Sequence, residues 1–189
     1  MLGLLYRIAF TWLHEQGGPD ALGEVMQRVG IAPERVFRMN EMYSDEEWRH
    51  IFAASCEVLG LSTRQAERSF AGSFIRDAER RFPRFFQMSQ SSREFLERQP
   101  TIHNSFATGL VDREAREQVN DKFRIESLPD RIITHYRSQN RLCGVYIALA
   151  ELVIDRYGDM AAIQEPRCMR RGDEHCEIVV QWFETGGAT

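Results

Sequence analysis

The chain has 189 residues, 43% of them hydrophobic, with 24 Lys and Arg against 28 Asp and Glu for a formal net charge of −4. That length and apolar content suffice to bury one sizeable core. The charges are mixed along the chain, which excludes the basic stripe that general nucleic-acid binding needs to displace phosphate counterions. No apolar run approaches membrane-spanning length, and the opening MLGLLYRIAFTWLHEQ ends too polar for a secretion signal, so a cytoplasmic location is expected.

The first half reads as helices. Leu2, Leu5, Ile8, Ala9 and Trp12 form a helical apolar stripe that the Gly17-Gly18-Pro19 break ends, and a second helix is expected from Ala21 to Val29. Ser44-Asp-Glu-Glu47 is a capping box for a helix with Trp48, Ile51, Phe52, Val58 and Leu59 on its buried face, stopped by Gly60. Ser62-Thr-Arg-Gln65 opens another, which repeats Ala66, Phe70, Phe74 and Ala78 every four residues and must end near Pro83. Ser91-Ser-Arg-Glu94 caps a short helix carrying Phe95 and Leu96. Pro100 suits the first turn of the next, which places Ile102, His103, Phe106 and Leu110 along one side.

The period then changes. Phe123 to Ser127 alternates, Leu128-Pro-Asp supplies a turn, and Arg131 to Ser138 resumes as a strand, giving a hairpin. Leu142, Val145, Tyr146, Leu149, Leu152 and Val153 mark an amphipathic helix closed by Gly158. Ala161 to Met169 and His175 to Trp182 are expected as two strands around an Arg171-Gly-Asp turn, and residues 186–189 as a frayed tail. Helices, hairpin, long helix, hairpin: the order predicts an α+β fold with one antiparallel four-stranded sheet.

Enzyme signatures are missing. There is no Gly-rich phosphate loop, nucleophile elbow, paired-carboxylate signature or metalloprotease helix, and Asp45-Glu-Glu47 is first-turn helix charge. The chain is therefore not read as an enzyme. Cys56 falls on an amphipathic helix as a small core residue. Cys143, Cys168 and Cys176 either stay buried free thiols or converge on zinc with a fourth N or O ligand; a C-x₇-C hairpin alone does not decide. Of the five histidines, His103 stands apart. It sits one turn into a helix, where the dipole favours the neutral imidazole that ligates iron, and Ile102 and Phe106 flank it.

MLGLLYRIAFTWL at the start, RRFPRFF at residues 80–86, TIHNSF around His103, HYRSQNRLCG at residues 135–144 and RCMRRGDEHCEI at residues 167–178 resemble the haem nitric oxide/oxygen-binding (H-NOX) family. The likeness runs in order over essentially the whole chain. It implies one H-NOX-like sensor domain over residues 1–185: a helical N-terminal subdomain (about 1–60, distal) packed on a helix plus four-stranded antiparallel sheet (about 61–185, proximal). Haem b lies between the two in that family, and the proximal iron ligand corresponds to His103.

The family's Y-x-S-x-R motif binds the haem propionates. Tyr136 and Ser138 match it, but Asn140 replaces the arginine and Arg141 follows. Asn donates without charge, so the clamp is weaker unless Arg141 reaches round. The proline that follows the ligand in the family is also missing, since nothing between His103 and Pro129 is proline. Leu5, Ala9, Phe74, Ala78, Val145 and Leu149 correspond to pocket-lining positions and none carries a hydrogen-bond donor, which implies NO (or CO) as ligand in preference to O₂. Tyr146 is the nearby donor that would reverse this after a shift of one position.

NO binding weakens the iron–His103 bond in this scheme, and a separate partner such as a histidine kinase or cyclic-dinucleotide enzyme reads the resulting shift. For zinc, some family members use a His three residues before the position of Cys168. Here that position is Glu165, with His175 as the local substitute. Two alternatives follow: a haem-poor zinc/thiol redox sensor, and a haem-free ligand-binding module of the vinyl-reductase-like type, for which the CMRRGDEHC hairpin is also suggestive.

Overall fold

Burial of Leu4, Ile8, Ala9, Trp12 and Leu13 on one side draws the first segment into a helix, α1 (Gly3–Arg28). The structure, a computed structural model, describes residues 1–108, 110, 116–117 and 122–183; the expected tail at 186–189 lies outside the described residues. The two helices expected on either side of Gly17-Gly18-Pro19 run on as one element with a kink. Gly18 takes φ 72° and ψ −172°, outside helical space, and Pro19 restarts the turn. Gly3 has a different reason to be glycine: a Cβ there would lie 2.0 Å from the Arg38 carbonyl oxygen.

Helix α2 (Asp45–Val58) starts where the Ser44 hydroxyl accepts from the N–H groups of Glu46 and Glu47. Helix α3 (Thr63–Arg81) has the reciprocal box: Gln65 N–H donates to the Ser62 hydroxyl at 3.4 Å and Ser62 N–H to Gln65 Oε1 at 2.9 Å. Aromatic rings fill the core of this part. Trp12, Trp48 and Phe70 meet at centroid separations of 5.7–5.8 Å, and Tyr6 stacks on Phe37 at 4.4 Å. Two buried handles are satisfied, Tyr6 Oη donating to the Ser44 carbonyl and Trp12 Nε1 to the Ser69 hydroxyl.

Short helices α4 (Pro83–Gln87), α5 (Ser92–Glu97) and α6 (Gln99–Ala107) follow; Ser91 caps α5 and Pro100 opens α6 as expected, while α4, begun by Pro83, was not foreseen. Then come β1 (Phe123–Ser127), β2 (Arg131–Tyr136), α7 (Cys143–Tyr157), β3 (Ala161–Arg167) and β4 (Cys176–Trp182). The four strands form one antiparallel sheet in the order β1-β2-β4-β3. Strand β3 stops two residues short of the expected Met169. Its ladder slips between Gln164 and Arg167, around Pro166, which has no N–H to give, and Met169–Arg171 coil into a 3-10 turn.

Alternation sorts the sheet's faces. Ile132, Thr134 and Tyr136 of β2 and Cys176, Ile178 and Val180 of β4 are buried on one side, and Tyr136, Cys176 and Ile178 cluster there with Cys143 and Tyr146 of α7. Helix α7 ends at Gly158 in the left-handed region, φ 69°, as its sequence predicts.

Contacts gather in two compact units, Met1–Asp77 and Ala78–Thr189. No helix among the described residues is long and apolar enough to cross a membrane.

Candidate functional site

His103 stands one turn into α6, half-buried, with its ring centroid 4.5 Å from that of Phe123 on β1. Burial pushes its pKa down to about 4, and the Lys122 charge adds to this. The imidazole is therefore neutral at pH 7. Neither ring nitrogen is hydrogen-bonded among the described residues, so a lone pair is available to a metal.

Phe123 links this histidine to two tyrosines, one on β2 and one on α7: its ring lies 5.0 Å from Tyr136 and 5.3 Å from Tyr146. Tyr136 is buried, and burial raises its phenol well above the usual range; its Oη accepts from Leu142 N–H at 3.3 Å. The buried Ser138 hydroxyl accepts from Asn140 N–H at 3.3 Å. Asn140 is the anomaly. Its side chain is buried, yet neither Nδ2 nor Oδ1 has a partner, an arrangement that costs on the order of 1–3 kcal/mol per group if left so.

Arg141 does not join this group. It holds φ 51°, its side chain is exposed, and its carbonyl is gripped by Arg170 Nε at 2.9 Å and Nη2 at 2.6 Å.

Tyr146, the donor whose role the sequence left open, is engaged. Its Oη pairs with Thr134 Oγ1 at 2.8 Å inside the sheet–helix core, and burial pushes its pKa up to about 12. Its contact with Phe123 puts it on the His103 side. Of the residues expected to line a pocket, Val145 is buried and Ala78 and Leu149 half-buried in the second unit. In the first unit Ala9 is buried, while Leu5 and Phe74 are half-buried.

The cysteines do converge. Cys143, Cys168, Cys176 and Glu165 each offer one ligand atom, all within 4.8 Å of one another. Cys143 Sγ and Cys168 Sγ are 3.6 Å apart, close to the roughly 3.8 Å that two thiolates span on a tetrahedral ion with 2.3 Å bonds. Cys176 Sγ accepts from Met169 N–H at 3.3 Å. Burial raises the Cys143 and Cys176 thiols, so without an ion they stay protonated at pH 7. Glu165 Oε1 is buried without a hydrogen-bond partner, while Oε2 accepts from Arg171.

His175, the other candidate for a fourth ligand, is turned away from the thiols because strand alternation sends the neighbour of Cys176 to the opposite side, where it meets His135. That His135–His175–Glu177 grouping was missed from sequence. The available signal was the alternation of the two arms, which puts all three on one face.

Helices followed by a helix and a four-stranded antiparallel sheet make an α+β fold of the kind expected for H-NOX domains. Solved structures agree. The chain is similar to an H-NOX protein from S. oneidensis in its Fe(II)NO state, at 16% identity over 97% of this chain and 99% of that one, TM-score 0.78. It is similar to a Cs H-NOX mutant with an unnatural amino acid, at 20% identity over 96% of each chain, TM-score 0.79. A third likeness is to an oxygen-binding H-NOX domain related to soluble guanylate cyclases, in its oxygen complex, at 20% identity over 96% and 95%, TM-score 0.75. No curated protein matches the chain by sequence. The Haem-NO-binding family model matches residues 2–165, and the chain belongs to that family of haem-binding gas-sensor domains.

Proposed function

We propose that this chain senses nitric oxide with haem b ligated by His103, and passes the signal to a separate effector such as a histidine kinase or cyclic-dinucleotide enzyme. The observation that carries the reading is His103 itself: neutral, unengaged at both nitrogens, and joined through Phe123 to a buried set of uncharged donors. That set suits the haem carboxylates. Tyr136 and Ser138 bring hydroxyls, and the orphaned Asn140 amide gains in a propionate oxygen the acceptor its Nδ2 lacks within the chain. Haem, when bound, supplies an iron that takes a diatomic gas.

Selectivity for NO over O₂ follows from what the chain withholds. Bound O₂ needs a donor, whereas NO binds ferrous haem well without one. Leu5, Ala9 and Phe74 of the first unit and Ala78, Val145 and Leu149 of the second carry none, and the Tyr146 hydroxyl is committed to Thr134. CO is accommodated on the same grounds. The test is the absorption spectrum of the reduced, haem-loaded protein: a Soret band that shifts on adding NO and stays put in air is expected. A stable oxygen-bound spectrum in air overturns the selectivity. His103→Gly should lose the Soret band and regain it with added imidazole; a variant that keeps its unaltered band removes His103 from the role.

A second reading rests on the thiol cluster. The spacing of Cys143, Cys168, Cys176 and Glu165, with an unpartnered Glu165 oxygen, favours zinc. The site then acts as a redox sensor. A peroxide takes two electrons from a pair of thiolates to form a disulfide, is itself reduced to water, and two zinc ligands are lost. Zinc analysis tests this, with Cys168→Ser expected to hold one equivalent fewer than the wild type. Zinc-free wild type prepared with zinc present refutes it.

A further inference from the structure

The sheet face opposite the thiols carries a second grouping of ligand-type side chains. His135 of β2 and Glu177 of β4 are direct cross-strand partners, and His175 enters from the turn before β4. One ligand atom from each of the three lies within 4.8 Å of the others. His135 Nδ1 faces His175 Nε2 at 3.4 Å. Two nitrogens on a tetrahedral zinc-class ion with bonds of about 2.0–2.1 Å sit about 3.3 Å apart, so the imidazoles are already at chelating separation.

The far side of His135 makes the case specific. Its Nε2 is buried with no hydrogen-bond partner, and the nearest acceptor is Glu126 Oε2 of β1 at 3.7 Å. A hydrogen bond between the two histidines also accounts for the facing nitrogens, and leaves the Nε2 proton toward Glu126 only in the tautomer in which Nδ1 accepts. A metal on Nδ1 fixes the proton on Nε2, where it points to a carboxylate, the outer-shell arrangement that orients metal-bound histidines. Glu126 reaches that position from β1, where its register partner is Ile133.

We propose that His135 Nδ1, His175 Nε2 and the Glu177 carboxylate form a binding site for a divalent ion of the zinc class, with Glu126 holding the His135 Nε2 proton. Two imidazoles and a carboxylate suit zinc, nickel and copper(II) and do not suit calcium or magnesium, which demand oxygen. The three protein ligands leave a coordination position for water.

Charges around the site compete only weakly. Arg167 Nε approaches Glu177 at 3.8 Å, but its side chain is 60% exposed and can swing into solvent at little cost. Arg137 pairs with Glu174 at 4.0 Å, and Arg124 is the β1 partner of His135. Occupation of the site ties the turn at Cys168–His175 to β2 from the face opposite Tyr136 and Cys176, which are themselves cross-strand partners.

The test is a zinc titration of the full chain stripped of zinc, followed through the imidazole nitrogen resonances of His135 and His175. Wild type, His175→Gln, Glu177→Gln and Cys168→Ser are compared. Both imidazoles should shift on adding zinc in the wild type and in Cys168→Ser. The affinity of that event should fall at least tenfold in Glu177→Gln, and the event should vanish in His175→Gln. Circular dichroism confirms that each variant is folded. Imidazole signals that do not move, or a zinc event unchanged by His175→Gln or abolished by Cys168→Ser, overturn the proposal. The measurement needs neither haem nor thiol-bound zinc, so its failure leaves those readings untouched.

Discussion

Replacing His103 by leucine removes a titrating group whose pKa moves from 6.5 to about 4 on folding. Because the folded pKa is the lower, the unfolded chain binds the proton first as pH falls. Stability from this group is thus complete above pH 6.5 and is lost between pH 6.5 and 4. At about 1.36 kcal/mol per pH unit, the full loss is about 3 kcal/mol. The ring is only half-buried by surface area, so solvent access trims the expectation to about 2 kcal/mol. Urea unfolding of haem-free wild type and His103→Leu at pH 7.5 and pH 4.5 reads this directly. The difference between the two proteins should move by about 2 kcal/mol in favour of the variant at the lower pH. A difference independent of pH would mean that the imidazole titrates normally, and the argument for a desolvated, neutral ligand would go with it.

Asn140→Asp places a buried carboxylate beside groups assigned to the haem carboxylates. Haem loss, followed by transfer to an apoglobin, should be at least about tenfold faster, equivalent to about 1.4 kcal/mol. Ile178→Ala opens a cavity at a fully buried position in the sheet–helix core and should cost about 2–5 kcal/mol in urea unfolding. Gly158→Ala forces a Cβ into left-handed backbone at φ 69° and should cost about 1 kcal/mol, visible as a lowered melting midpoint.

Local signals in the sequence were dependable where the physics was local. Ser44, Ser62 and Ser91 cap the helices they appear to cap, Pro100 starts its helix, and Gly158 ends α7. The hairpin at Leu128-Pro-Asp was equally plain, because alternation and turn residues are adjacent in the chain. His103 carried little by its own spacing. It became a candidate through the ordered motifs around it, and its electrostatic state emerges only from its burial in the fold and the Lys122 charge.

The features that escaped depend on distant partners. The ladder slip at Gln164–Arg167 ends β3 early. Choosing Glu165 over His175 beside the thiols needed the facing of β4. The His135–His175–Glu177 grouping needed the pairing of β2 with β4, strands separated by all of α7 and β3.

That pairing also acts as a reading frame. Tyr136 meets Cys176 on one face and His135 meets Glu177 on the other, so a one-residue slip of β2 against β4 would send each member to the wrong side. Within either strand, a single insertion or deletion would disassemble the grouping on each face in one step. The ligand-type residues of this sheet are therefore bound to a common fate, and the two strands can drift in sequence far more freely than in length.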